Sequence, residues 1–165
     1  GEIFAPCAAA ALYRRDIFLE AGGFDESYFC YFEDVDLAFR LRLLGHRCLY
    51  VPDAMVAHIG SASLGKHSAF STYHGHRNLV WAYFKNMPWP MVLFYLPQHL
   101  LFNIAALIWF SLIGQPKIIF RAKWDALKGL PKVLKQRGEV QKKIKIRPSA
   151  LLRVMAKGWL RPLKK

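Results

Sequence analysis

The stretch GGFDESYFCYFEDVDLAFRLRLLGHR, residues 22–47, decides how this chain reads. Five carboxylates, Asp25, Glu26, Glu33, Asp34 and Asp36, fall within twelve residues of it. Gly22 and Gly23 close a short helical run at 16–21, because glycine accepts the left-handed backbone that ends a helix. A loop over 24–32 then leads into a helix predicted at 34–44. Leu37, Leu41 and Leu44 recur there at helical spacing, and Gly45 stops the run. Asp34 and Asp36 therefore belong to a first helical turn, where the helix dipole stabilises negative charge. A group that takes a proton from a hydroxyl must be ionised, positioned and close to that hydroxyl. A carboxylate at a helix start meets these needs. Acids at helix starts also serve as plain caps, and spacing alone leaves both roles open.

Outward from this stretch the charge is uneven. Residues 1–60 hold nine acids and five bases, whereas residues 61–165 hold two acids and nineteen bases. The acids are grouped where they can build a site, and the bases where they can meet an anionic partner. With 54% apolar and 15% aromatic residues in 165, the chain can bury a sizeable core and is not a disordered one. Cys7, Cys30 and Cys48 are odd in number and form no CxxC pair, which argues against a disulfide scaffold or a zinc ribbon. Free thiols fit a reducing cytosol.

Short strands are predicted at 48–51 and 55–59 around a Pro52–Asp53 turn, which makes residues 1–60 an α/β unit. Residues 60–76, rich in Gly, Ser and His, read as a loop that includes His67, His74 and His76. A helix starting near Tyr73 or His76 should end at about Asn86, before Met87-Pro88-Trp89-Pro90. Residues 91–113 carry no formal charge and, as a helix, would be roughly 34 Å long, enough for a bilayer core of about 30 Å. Residues 117–136 are amphipathic. Arg121, Asp125, Lys128, Lys132 and Lys135 share one face, while Phe120, Trp124, Leu127, Leu130 and Leu134 share the other. Pro131 is expected to kink this helix. Residues 137–147 read as a basic connector, and Ser149 as the cap of a last helix bearing Arg153, Lys157 and Arg161.

The string at 22–47, continued by Tyr50-Val51-Pro52-Asp53-Ala54, His58, Gly60-Ser61-Ala62-Ser63 and Arg77-Asn78, resembles the C-terminal half of the catalytic domain of family 2 glycosyltransferases. It is closest to bacterial rhamnosyltransferase-like members that build cell-surface polysaccharide. The resemblance implies an α/β fold: the acceptor-side half of a GT-A nucleotide-diphospho-sugar transferase domain at 1–86. An apolar membrane-associated segment at 87–116 and a basic amphipathic tail at 117–165 would follow. Asp34 matches the family's general base in an inverting transfer. Glu33 and Asp36 would shape the acceptor pocket or hold Arg40. Arg77 would face a diphosphate, and His58 matches a histidine that joins a divalent cation, Mg²⁺ or Mn²⁺, in some members. The family's donor-side Asp-x-Asp motif does not precede Asp34, so most of the cation site would belong to a donor half outside this chain. Asp34-Val35-Asp36 has that spacing, and as a metal motif it ranks second.

The implied partners are a nucleotide-sugar donor, with dTDP-rhamnose suggested by the group alone, a polyprenyl-diphosphate-linked saccharide acceptor, and anionic lipids. Nucleic acid is not expected, because the tail's aromatics lie on the apolar face, away from its charges. A non-enzymatic membrane-surface protein is the competing reading, and it leaves the ordered Glu-Asp, His and Arg-Asn series unexplained. Sixteen Lys and Arg from Lys117 onward favour the cytoplasmic face of the plasma membrane. Both flanks of 91–113 then want the same side, which calls for a re-entrant or in-plane segment broken near Pro97.

Overall fold

The structure, a computed structural model, describes residues 1–58 and 68–155. Two strands, β1 (Glu2–Ile3) and β2 (Cys48–Leu49), pair antiparallel, with Glu2 opposite Leu49 and Ile3 opposite Cys48. Between them run α1 (Arg15–Glu20) and α2 (Glu33–Leu43). Four helices follow: α3 (Ala69–Asn86), α4 (Trp89–Leu112), α5 (Pro116–Lys142) and α6 (Pro148–Val154). The strand component of the α/β expectation is thus confined, among the described residues, to one short pair. Residues 55–58 have no regular structure, and Ile59 and the Gly60–Ser63 motif lie outside the described residues.

Several boundaries differ from those predicted, each for a local reason. Helix α3 begins at Ala69, so His74 and His76 are helical rather than in a loop. Ser68 caps it by accepting the Ser71 N–H at 3.1 Å. The stretch shows no apolar period because its Ser, Thr, Gly and His residues pack against aromatic side chains supplied by the loop before α2 and by α4. Helix α4 continues through Pro97, where a break was expected, and spans 24 residues. Helix α5 likewise runs through Pro131 and on to Lys142, which takes up half of the expected basic connector. Arg147, not Ser149, occupies the cap position of α6; His67, Lys157 and Arg161 lie outside the described residues.

The core crosses the boundaries drawn from sequence. Phe39 and Leu43 of α2, Tyr83 of α3, Met91 and Val92 of α4 and Leu151 of α6 form one buried cluster. A smaller cluster places Leu37 and Leu44 against Ala21. Helix α4 lies antiparallel along α3, with the His99 and Tyr83 rings stacked at 3.9 Å and the Phe110 and His76 rings meeting at 4.8 Å.

Helix α5 packs on α3 through neither of its two expected faces. Its buried residues are Ile119, Ala122, Ala126, Val133 and Arg137, a stripe of mostly small side chains that lets the backbones approach. Trp81 Nε1 donates to the Ala126 carbonyl at 3.0 Å, and Arg137 Nη1 to the Phe84 carbonyl at 2.7 Å. Part of the polar face is also committed: Tyr73 donates to Asp125 at 2.8 Å and Lys132 to Ser27 Oγ at 2.8 Å. Phe120, Trp124 and Leu127 are exposed instead.

Two glycines of α5 test this packing. A Cβ at Gly129 would meet the Trp81 ring at 2.5 Å, whereas one at Gly138 meets nothing within 4 Å. Gly129→Ala should destabilise by about 1–3 kcal/mol through overpacking. Gly138→Ala should stabilise by up to about 1 kcal/mol through helix propensity. Urea denaturation of the two variants checks the contrast.

Candidate active site at the start of α2

The loop before α2 is strained and clamped. Phe29, Tyr31 and Phe32 have φ of 65°, 62° and 70°, a region that side chains avoid and that costs on the order of 1–3 kcal/mol per residue. Asn78 of α3 holds the loop: its Nδ2 donates to the carbonyls of Tyr28, Cys30 and Tyr31 at 2.9, 2.8 and 2.8 Å. Arg77 Nη2 donates to the carbonyls of Ser27 and Tyr28 at 3.3 and 3.1 Å, with its guanidinium 4.3 Å from the Trp81 ring centre. Asp25 accepts the Ser27 N–H at 2.9 Å and ties the loop to Lys85 at 2.7 Å and to Gln136 at 3.0 Å.

One turn into α2, Asp36 is fully buried. Its Oδ2 accepts from Arg40 Nε at 2.9 Å and Nη2 at 2.6 Å. Its Oδ1 accepts from Asn86 at 2.8 Å and from the Tyr28 hydroxyl at 3.2 Å, and lies 2.8 Å from Lys85 Nζ. Arg40 also donates to the Ala21 carbonyl. Arg42 ties the same helix to β1 through Glu2 and the carbonyls of Ile3 and Phe4.

Asp34 faces another way. It is half-buried, and its Oδ2 accepts the Ala8 N–H at 3.2 Å while its Oδ1 accepts the Val35 N–H at 2.8 Å. Ala8 opens a 3₁₀ turn at Ala8–Ala10, so a backbone donor from the N-terminal segment reaches the carboxylate. Beside it, burial, followed by the Asp34 charge, pushes Tyr13 up to about 12. Burial also pushes Glu33 up, with Asp34 adding to the shift. The Tyr13 hydroxyl and Glu33 Oε2 are buried without a hydrogen-bond partner among the described residues. Together they make a carboxylate held by two N–H groups, flanked by polar atoms that still have bonds to make.

The predicted residues therefore separate. Asp34 and Glu33 stand together at the helix start. Asp36 holds Arg40, one of its two expected roles, but a carboxylate with 0% exposure has no surface with which to touch an acceptor. Arg40 is turned inward in the same way, held by Asp36 and the Ala21 carbonyl. Arg77 braces the loop. His58 is exposed, and among the described residues no group of three His, Cys, Asp or Glu comes together. Asp34 and Asp36 do not converge, because Asp36 is already engaged by Arg40 and Lys85. The donors in these residues do not fit a cation site by themselves.

Tyr28, Lys85 and Asn86 were not singled out from sequence, and Asn78 was noted without a role. A signal existed: Asn78, Lys85 and Asn86 lie at i, i+7 and i+8, a polar stripe on the buried face of α3.

Comparison with known proteins supports the same region. The family described as Glycosyltransferase like family 2 matches residues 2–87. The N-acetylglucosaminyl-diphospho-decaprenol L-rhamnosyltransferase of Mycobacterium tuberculosis (strain H37Rv) is 50% identical over 58 residues, covering 35% of this chain and 19% of that protein. Rhamnosyltransferase WbbL of Escherichia coli (strain K12) is 49% identical over 47 residues, covering 28% of this chain and 18% of that protein. These matches take in about a fifth of the length of the curated relatives. No solved structure matches the chain.

The Asp25–Lys85 pair makes a pH-dependent contribution. Burial pushes Asp25 up, but the Lys85 hydrogen bond and charge outweigh it and hold the carboxyl at about 2, below its ordinary 3.8. A depressed carboxyl stabilises the fold fully above its unfolded pKa and loses that contribution as pH falls through the folded one. The window is therefore about pH 4 down to about pH 2, and the contribution is on the order of 2 kcal/mol. Asp25→Asn should flatten the loss of stability across this window in urea titrations. An unchanged slope would show that the pair does not control it.

Proposed function

The chain belongs to the glycosyltransferase-like family 2, and from that premise we propose that it carries the acceptor side of an inverting sugar transfer with Asp34 as general base. The observation that supports this reading best is the carboxylate itself. Asp34 stands in the first turn of a helix that Asp36 wires into the core, and two backbone N–H groups orient it. As the acceptor oxygen attacks the anomeric carbon, its proton passes to Asp34. A carbon–oxygen bond forms, the bond to the nucleoside diphosphate breaks, and attack from the opposite face inverts the configuration. Glu33 borders the acceptor, while Asp36 and Arg40 set the pitch of the helix that carries the base.

The relatives' printed names support rhamnose as the transferred sugar and a polyprenyl-diphosphate-linked saccharide as the acceptor. The donor on this reading is dTDP-rhamnose. A divalent cation, with His58 as one ligand, would stabilise the leaving diphosphate.

We place this activity on the cytoplasmic face of a membrane. Helix α4 is long and apolar enough to cross a bilayer, yet most of its apolar window is not buried within the chain. Leu93, Phe94, Leu101, Ile104, Ile108 and Leu112 are all exposed. A helix packed on α5 and joined to α3 through ring contacts does not leave them to span a bilayer. Lying in the interfacial plane satisfies both the packing and the exposed apolar face, with anionic headgroups meeting the basic residues.

In the enzyme that carries this chain, Asp34→Asn should lower kcat about 10²-fold or more while leaving acceptor affinity in place. Near-normal turnover would remove Asp34 from the mechanism. For the membrane reading, Leu101→Ser with Ile108→Ser should weaken binding to anionic vesicles at least about tenfold, since each buried aliphatic side chain is worth roughly 1.5–3 kcal/mol. Unchanged sedimentation with vesicles would count against the interfacial placement.

A further inference from the structure

Between α3 and α4 lies an apolar groove of about 560 Å³. This falls in the range of roughly 300–1,000 Å³ that encloses small ligands. Gly75 and Leu79 of α3 form one wall, Phe102, Trp109 and Phe110 of α4 the other, and Phe32 closes the end next to α2. We propose that this groove holds the first isoprene units of a polyprenyl-diphosphate acceptor and thereby sets its saccharide before Asp34. The assignment rests on the acceptor reading above and adds a binding site to it.

Three observations favour this occupant. Phe32 stands two residues before Asp34, so their Cα atoms lie within about 7 Å, and the end of the groove and the base share one helix start. The groove thus ends beside the helix start that carries the carboxylate.

The groove is also continuous with the outer apolar surface. Phe102 and Trp109 line it, yet they are 52% and 57% exposed and adjoin Leu101, Ile104 and Ile108 on α4. A lipid chain passes from a bilayer into the groove without its hydrocarbon crossing water, which a water-soluble acceptor would not require. Finally, Gly75 leaves the wall open, since a Cβ built there meets nothing within 4 Å. The hollow is thus shaped by an absent side chain, and a larger residue enters it without striking the fold.

The test uses the enzyme that carries this chain and one saccharide diphosphate borne on either a polyprenyl or a butyl chain. Gly75→Leu should raise KM for the polyprenyl acceptor about tenfold or more, the scale of a misfit in an apolar pocket, and leave KM for the butyl acceptor unchanged. An equal change for both acceptors, or none for either, overturns the groove. Transfer to neither acceptor by the unaltered enzyme would instead overturn the acceptor reading. A second measurement needs no turnover: a polyprenyl diphosphate with a photoreactive diazirine on its first isoprene should label peptides containing Phe102 or Trp109. Label confined to other segments would likewise overturn the assignment.

Discussion

A single buried carboxylate, Asp36, is the constraint to which the rest of this structure answers. It sits at 0% exposure and accepts from Arg40, Asn86 and Tyr28, with Lys85 alongside. Removing one partner from such an arrangement leaves an uncompensated charge in a poor dielectric, at a cost of about 3–5 kcal/mol. Lys85 also serves Asp25, so the two acids and the two cations balance within the interior. The network joins α2, the loop before it and α3, three segments that apolar packing alone would hold in less definite register.

The site inherits its geometry from that register. Three consecutive-region residues with positive φ are a costly way to enter a helix, and the loop keeps them because Asn78 and Arg77 satisfy its carbonyls from α3. The result is a helix start where Asp34 is half-buried while Asp36, two residues on, is wholly buried. Among the described residues Asp34 has two backbone donors, and the Glu33 and Tyr13 atoms beside it have no partner. The fold thus leans on Asp36, while the chemistry proposed above falls to Asp34, two residues before it.

Helix α5 extends the same logic to the tail. Its small-residue stripe lets it lie close on α3, and its polar groups reach back to Ser27, Asp25 and the Asn86 carbonyl. Outward on α4 and α5 stand basic residues, Arg121, Lys128 and Lys135 among them, and beside these a run of large apolar ones, Phe94, Ile104, Phe120 and Trp124 among others. An apolar surface of this extent on a folded chain signals a partner or a membrane.

The acidic string and its glycines were enough to place α1 and α2 to within a residue or so, to bring Glu33 and Asp34 to a helix start, and to point to the family. Those features are local: caps, helix period and a motif in contiguous residues. The role of Asp36 could not be read in the same way, because a carboxylate in a first turn looks alike whether it faces solvent or Lys85 and Asn86, fifty residues away. The start of α3 escaped notice since its burial comes from α4 and α5 rather than from an apolar period of its own. Continuity of α4 through Pro97 and of α5 through Pro131 was likewise decided by neighbouring helices, which stabilise a turn that local preference would break. The amphipathic pattern of α5 showed two faces, yet packing chose a third. Small side chains permit a closer approach than large ones, and that advantage exists only once a second helix is there to approach.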